Sequence, residues 1–429
     1  MALENAPNAR DAMIGFLFLA GFVLLLNPVS AGIVPTGPEL AVNVTTPGNQ
    51  FGPDVAPTPD GGFIVAWVHT RSEEDRIVEF FFRPYGADGT PLSSEISSGA
   101  TVERGGGVDI ATDGEGNFVL AFSIQNQILG FFHDLYFKPF NADGTAAGET
   151  EIATIRFQED NSLGGVAMTP MGSFILAWNG CCEGPDWGVS TRFVDSSGTP
   201  EPEPVFQVDR ISRPDVAAAP DGGFFLAWRQ DGLQGQWLTD RGSAVGSPIP
   251  LISAPVTGLS TPVARFQPDG TGLALLSSRT PGFVEILGRR VSRQGVPLGT
   301  EFPVMSPPIA SGSNFYLDAA VLHNGEFVAV WQRELDGGIP GPFMARHFSR
   351  EGQPLSTPIS LDLPTFSEEI GPHVAAIGID SLVLTWLNTD GRDGSDSGIF
   401  AQRYDITRDS IFADGFESGD LSAWPLSVP

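Results

Sequence analysis

Four aspartates recur at one repeated position. Asp54, Asp109, Asp215 and Asp318 each stand directly before a pair of small residues, and His373 takes that place in a seventh occurrence. If the strands carrying them surround an axis, these side chains form a ring near one mouth of a channel. Hard oxygen donors of this kind suit Ca2+ or Mg2+, and two of them brought together could share the acid and base roles of glycoside hydrolysis. The same residue type also serves folding, because a carboxylate accepts backbone hydrogen bonds where the chain enters a strand. A second acidic group, Asp390, Asp393 and Asp396 in NTDGRDGSDSG, offers a metal site or a plain hairpin loop. Its acids fall every third residue, unlike the alternating ligands of an EF-type loop.

Cys181 and Cys182 are the only cysteines and are adjacent. In an exported chain they form a vicinal disulfide, pair between chains or remain free thiols. Their loop, NGCCEGPDWG, also brings Asp186 and Trp187, and the loop RQDGLQGQ brings Arg229 and Asp231. These four are the candidate ligand-binding residues. Catalytic signatures are missing: no G-x-S-x-G elbow, H-E-x-x-H pair or phosphate loop occurs, and the five histidines are scattered.

The elements that would position these groups are written as a repeat. PDGGFIVAW at 59–67 returns as PDGGFFLAW at 220–228. Aligned on Phe-x-x-x-Trp, seven copies appear: Phe63/Trp67, Phe118/Phe122, Phe174/Trp178, Phe224/Trp228, a degenerate Gly272/Leu276, Phe327/Trp331 and Leu382/Trp386. Their spacings are 55, 56, 50, 48, 55 and 55 residues. About eight residues before each lies a small pair, Val55-Ala56, Ile110-Ala111, Val166-Ala167, Val216-Ala217, Val263-Ala264, Ala319-Ala320 and Val374-Ala375. Downstream come an aromatic or basic run, a Gly turn and a short fourth run. Four strands separated by Asp-Gly or Ser-Gly turns make a twisted antiparallel sheet.

In FIVAW, Phe63, Val65 and Trp67 share one face while Ile64 and Ala66 share the other. Both faces are apolar, so the sheet is sandwiched; one is bulky and one slim, so like sheets nest. Seven such units predict an all-β, seven-bladed β-propeller over residues 32–408. Tandem immunoglobulin-like sandwiches need about 100 residues each, twice this period. The last unit lacks a fourth strand, and ELAVNV at 39–44 supplies one; residues 38–44 are expected to complete it as the outer strand and close the ring. In such a ring, turns between strands 1 and 2 and between strands 3 and 4 open on one side and repeat monotonously. Loops between strands 2 and 3 open on the other side and differ in every blade, which is where binding usually resides.

Composition bounds the surroundings. There are 51 acids against 23 bases, a formal charge of −28, which repels phosphate backbones and excludes nucleic acid as a natural partner. Met13 to Leu26 is a fourteen-residue apolar run followed by NPVSAG, with Val29 and Ala31 at small positions. The run is short for a membrane span and right for a signal peptide over residues 1–31. Cleavage there leaves no membrane span and places the mature chain outside the cytoplasm, secreted, at the cell surface or in the periplasm.

The unit GPDVAPTPDGGFIVAW through FRPYGADGTPLSSE resembles tandem repeats of large secreted and surface-exposed bacterial proteins of unassigned role, and the resemblance covers residues 38–405. The tail, residues 409–429 with IFADGFESGDLSAW, resembles a C-terminal segment of exported proteins of Gram-negative bacteria. That resemblance implies sorting or surface processing; an acidic strand packed on the last blade is the other reading. No catalytic residue comes with either resemblance. The sequence thus points to a secreted module that contacts a polysaccharide or protein ligand through its variable loops. Its alternatives are a carbohydrate-active enzyme using carboxylates near the axis, and a structural envelope component.

Overall fold

The computed structural model describes residues 32–408 apart from 72–76, 103–104, 126–132, 155–161, 182–186, 210–213, 254–260, 281–282, 307, 309–314, 336–338, 362, 364–371 and 395–396. The described residues form seven four-stranded antiparallel sheets. In the first, the inner strand Asn49–Pro57 pairs with Phe63–Thr70, which pairs with Val78–Tyr85, which pairs with the outer strand Ile96–Val102. The other inner strands are Gly105–Thr112, Ser162–Met168, Asp215–Ala218, Val263–Phe266, Phe315–Val321 and His373–Ala376. Each inner strand lies against the next, and the seventh lies against the first. The chain is a seven-bladed β-propeller.

The two faces of FIVAW divide as their alternation requires. Phe63, Val65 and Trp67 pack with Ala375, Val383 and Ala401 of blade 7, whereas Ile64 and Ala66 pack with Phe118, Leu120 and Phe122 of blade 2. At both of these seams a bulky side presses on a slim one. The paired glycines of PDGG have separate reasons. Gly61 sits at φ +83°, which a side chain resists, and a Cβ on Gly62 would fall 2.3 Å from the Tyr85 carbonyl oxygen. The fifth unit lacks its Phe because blade 4 fills the space. The Phe225 and Trp237 rings lie tilted with centroids 5.1 Å apart, Trp237 lies 5.2 Å from Phe266, and a Cβ on Gly272 would already meet Val291 at 2.8 Å.

The closing strand is found, but with different bounds. Residues Gly32–Ala41, rather than 38–44, pair with Gly398–Thr407 as the outermost strand of blade 7, with a register shift between Thr36 and Leu40. Val42 and Asn43 continue the attachment through bonds to Ile399. Pro35 and Pro38 argue against a strand in sequence, yet an edge strand tolerates a residue with no N–H to offer.

One further repeated position belongs to the third strand of each blade: Arg83, Lys138, Arg192, Gln236, Arg289, Arg346 and Gln402. Four of the cations reach back to the outer edge of the preceding blade. Arg83 bonds the Val42 carbonyl at 2.9 Å, Lys138 that of Ser98 at 2.8 Å, Arg192 that of Ala153 at 2.9 Å and Arg346 that of Val304 at 3.0 Å. Buried carbonyls between blades are thereby satisfied by charged donors, which make stronger bonds than neutral ones.

Candidate functional site

The inner strands carry Asp54, Asp109, Asp215, Asp318 and His373 at one level around the axis, on the side where the chain enters each blade. Each aspartate reaches forward to the next blade. Asp54 accepts the Ile110 N–H at 2.9 Å, Asp109 that of Val166 at 2.7 Å, Asp215 that of Ala264 at 2.8 Å and Asp318 that of Val374 at 2.8 Å. The second oxygen of Asp109, Asp215 and Asp318 accepts the N–H of its own following residue. His373 Nδ1 lies 3.1 Å from Asp54 Oδ1, carrying the circle across the seam between blades 7 and 1. Blade 3 has Gly165 at this level, where a Cβ would meet Asp215 Oδ1 at 2.9 Å and Asp109 Oδ2 at 3.5 Å.

Blade 5 holds the group that sequence reading missed. Val263 pairs with Leu275 at the level where Asp54 pairs with Ala66, so the small pair of this blade is Ala264-Arg265 and not Val263-Ala264. Arg265 donates from Nη1 to Asp215 Oδ2 at 2.9 Å, from Nη2 to Asp318 Oδ1, and from Nε to the Ala319 carbonyl at 2.8 Å. The signal was present: the pair-to-Phe spacing is eight residues in six units but nine from Val263 to Gly272. An arginine in the otherwise apolar PVARF was a second clue.

Burial and these contacts set the charges. Burial pushes Asp54 upward, but bonds to Asp109, His373 and the Ile110 N–H outweigh it and hold this carboxyl well below the usual carboxylate range. Burial, the charge of Asp54 and the hydrogen bond between them push Asp109 well above that range. The two carboxyls thus titrate as a pair that holds on to one proton. Burial also raises Asp215, against the pull of Arg265. Burial lowers His373, and the bond and charge of Asp54 more than reverse this, so the imidazole is raised.

These directions fix a pH dependence. Stability supplied by a raised histidine is fully present below its unfolded value of 6.5 and is lost as pH rises through the folded value. The raised Asp109 acts in the same sense: the folded chain keeps a proton that the unfolded chain releases above 3.8, so stability falls as pH climbs. Asp54 opposes on the acid side, its contribution being lost as pH drops below its unfolded value. The melting temperature is therefore expected to peak at mildly acidic pH and decline toward pH 8, with Asp109→Asn flattening that decline. A melting temperature that climbs steadily from pH 5 to pH 8 contradicts the assignment.

The calcium reading of Asp54, Asp109, Asp215 and Asp318 finds no converging ligand set. Among the described residues no group of three or more His, Cys, Asp or Glu side chains is arranged to hold a metal ion, and the four carboxylates are spent on bonds between blades. Of the second acidic group, Asp390 accepts the Arg392 N–H at 3.0 Å and Asp393 accepts from Asn43 at 3.2 Å; Asp396 lies outside the described residues. Cys182 and Asp186 also lie outside them. The strands pair Cys181 with Trp187 at the base of that loop. In the neighbouring blade Arg229 is half-buried, and Asp231, exposed at φ +51°, marks the loop tip. Trp187 and Arg229 thus belong to adjacent blades on the variable-loop side, and the structure does not join the four residues into one described site.

Ion pairs also cross between blades on the opposite side. Arg350 bonds Asp269 at 3.0 Å, Arg241 pairs with Glu201 at 3.3 Å, and Arg293 pairs with Asp221, each linking one blade to the preceding one. Such exposed pairs contribute little stability singly, and other turn aspartates, Asp60, Asp88, Asp113, Asp143 and Asp195, accept bonds from their own turns instead.

No family model and no curated protein matches the sequence. Among solved structures, a polysaccharide lyase aligns over 87% of this chain and 100% of its own, at 12% identity and a TM-score of 0.51. A sialidase from Streptococcus pneumoniae aligns over 87% of this chain and 70% of its own, at 11% identity and 0.46. A protein of unknown function from Dyadobacter fermentans aligns over 71% of this chain and 95% of its own, at 14% identity and 0.46. Likeness at these identities shows the fold alone.

Proposed function

We propose that this propeller is an exported binding module that takes a polysaccharide without net negative charge on its variable-loop face. One observation carries the reading: the axial carboxylates are committed to bonds between blades and the turns repeat from blade to blade, which leaves the non-repeating loops as the surface free to vary with a ligand. The charge of −28 disfavours anionic polymers. The loops supply aromatic residues, Phe131 and Phe132 in QILGFFHD and Trp187 in GPDWG, of the kind that stack on sugar rings. Export is supported by the Met13 to Leu26 run, and surface sorting by the resemblance of the tail.

A carbohydrate-active enzyme is the second reading, favoured by the Asp54–Asp109 pair with one charged and one protonated member. Glycosidase carboxyls stand about 5–9.5 Å apart with room for substrate or water between them, whereas Asp54 and Asp109 each spend an oxygen on a backbone N–H of the next blade. Affinity electrophoresis of the mature chain through gels of neutral and amino-sugar polysaccharides tests both. Retardation without new reducing ends is the expected result. Release of reducing ends that Asp109→Asn abolishes would establish the enzyme instead, and free migration in every gel would sink the polysaccharide reading.

A further inference from the structure

On the second strand, the residue after the Phe-x-x-x-Trp anchor turns toward the following blade and meets the anchor there. Val68 packs with Phe122 across the seam between blades 1 and 2, and Leu387 with Trp67 across the seam between blades 7 and 1. Blade 6 places Gln332 at this position, facing Trp386 of blade 7. Gln332 pairs across its ladder with Phe343 and Trp386 with Phe400, and both of these rings belong to the core shared by the two blades. Residues paired across a ladder point to the same face, so the amide and the indole enter one seam from opposite walls. Gln332 is 2% exposed and Trp386 0%. Among the described residues, neither Gln332 Oε1 nor Trp386 Nε1 has a hydrogen-bond partner. The Gly341 carbonyl accepts from Gln332 Nε2 at 2.9 Å, which fixes the oxygen as the end of the amide left over. In blade 4 the corresponding indole is satisfied, Trp228 Nε1 donating to Gln230 Oε1 at 3.2 Å. A donor on one wall and an acceptor on the other, both cut off from solvent, are costly unless something stands between them.

We propose that the seam between blades 6 and 7 is a binding site for one water molecule, which accepts from Trp386 Nε1–H and donates to Gln332 Oε1. A single water does both at once, and buried polar groups are commonly satisfied in this way. Aromatic cover seals the site. The Phe400 ring stacks on the indole with centroids 6.2 Å apart, and the Arg392 guanidinium lies over Phe400 at 4.2 Å. Blade 7 thus rests on a hydrated contact at one seam, whereas at the other the same position is the apolar pair Leu387–Trp67. The site belongs to the ring without any ligand, so its failure and that of the polysaccharide reading are separable.

The chain has eight tryptophans, so labelling them with nitrogen-15 gives a sparse set of indole N–H resonances. That of Trp386 is the one missing from Trp386→Phe. The expected result is a dipolar cross-peak between this N–H and water in the protein without ligand. The cross-peak disappears in Gln332→Leu while the other indole resonances keep their positions. Urea unfolding supplies a second readout. Gln332→Leu and Trp386→Phe each lower the midpoint, and the double variant falls no further than the less stable single, because one water serves both groups. No water contact at Trp386, a contact that survives Gln332→Leu unchanged, or additive losses in the double variant overturns the proposal. Should Trp386→Phe fail to fold, the resonance is assigned through its contact with the Phe400 ring, and the comparison with Gln332→Leu decides.

Discussion

Arg265→Met lowers the stability of the ring by about 3–5 kcal/mol, the cost of leaving a buried carboxylate without its partner. The guanidinium joins Asp215, Asp318 and the Ala319 carbonyl across three blades, so the substitution removes the axial link through blade 5 as well as its charge. Urea unfolding at neutral pH measures the loss. The control removes the charges together: Arg265→Met with Asp215→Asn and Asp318→Asn is expected to recover much of the deficit, since replacing a whole buried ion group costs far less than breaking it. A single variant within 1 kcal/mol of the parent would show that water screens the channel and that the triad contributes little.

A chain that begins at Val42 suffers more. It leaves the third strand of blade 7 as an open edge over the seven residue pairs now made with Gly32–Ala41, and it uncovers the core to which Ile33 contributes. At about 1 kcal/mol for each lost ladder bond, the deficit is on the order of 5 kcal/mol before the lost apolar burial, comparable with the whole stability of many domains. The shortened chain is expected to unfold at much lower urea, over a broader transition, and to associate through the bared edge. A peptide of residues 32–44 added in trans should restore the transition. Unfolding indistinguishable from the parent would mean that the seam between blades 7 and 1 holds by packing alone.

The fold was legible because its information is local and repeated. The Phe-x-x-x-Trp strand, the PDGG turn and the small residues of the inner strand recur often enough to reveal blades, faces and ring closure. The extent of the closing strand was not legible, since Pro35 and Pro38 speak against pairing and an edge position forgives them. Nor were the partners of the axial aspartates. A carboxylate in sequence does not say whether it will meet a metal, a substrate or an amide, and here the amide belongs to the next blade, about 55 positions on. Arg265 was hidden by a one-residue offset in the unit whose aromatic anchor had already been lost. The ligand-binding candidates are a different case: they lie in or beside loops that no repeat constrains, so neither period nor pattern relates one to another.

The two prolines near the start of the closing strand bear on how the chain survives its own synthesis. Emerging first, this segment must wait for roughly 360 further residues before Gly398–Thr407 exists to receive it. A ten-residue β-former left waiting that long would be an invitation to strand-swapping with another nascent copy. Residues that cannot donate an amide, and a glycine between them at φ +73°, make it a poor template for strangers while costing little at the rim of its own last sheet.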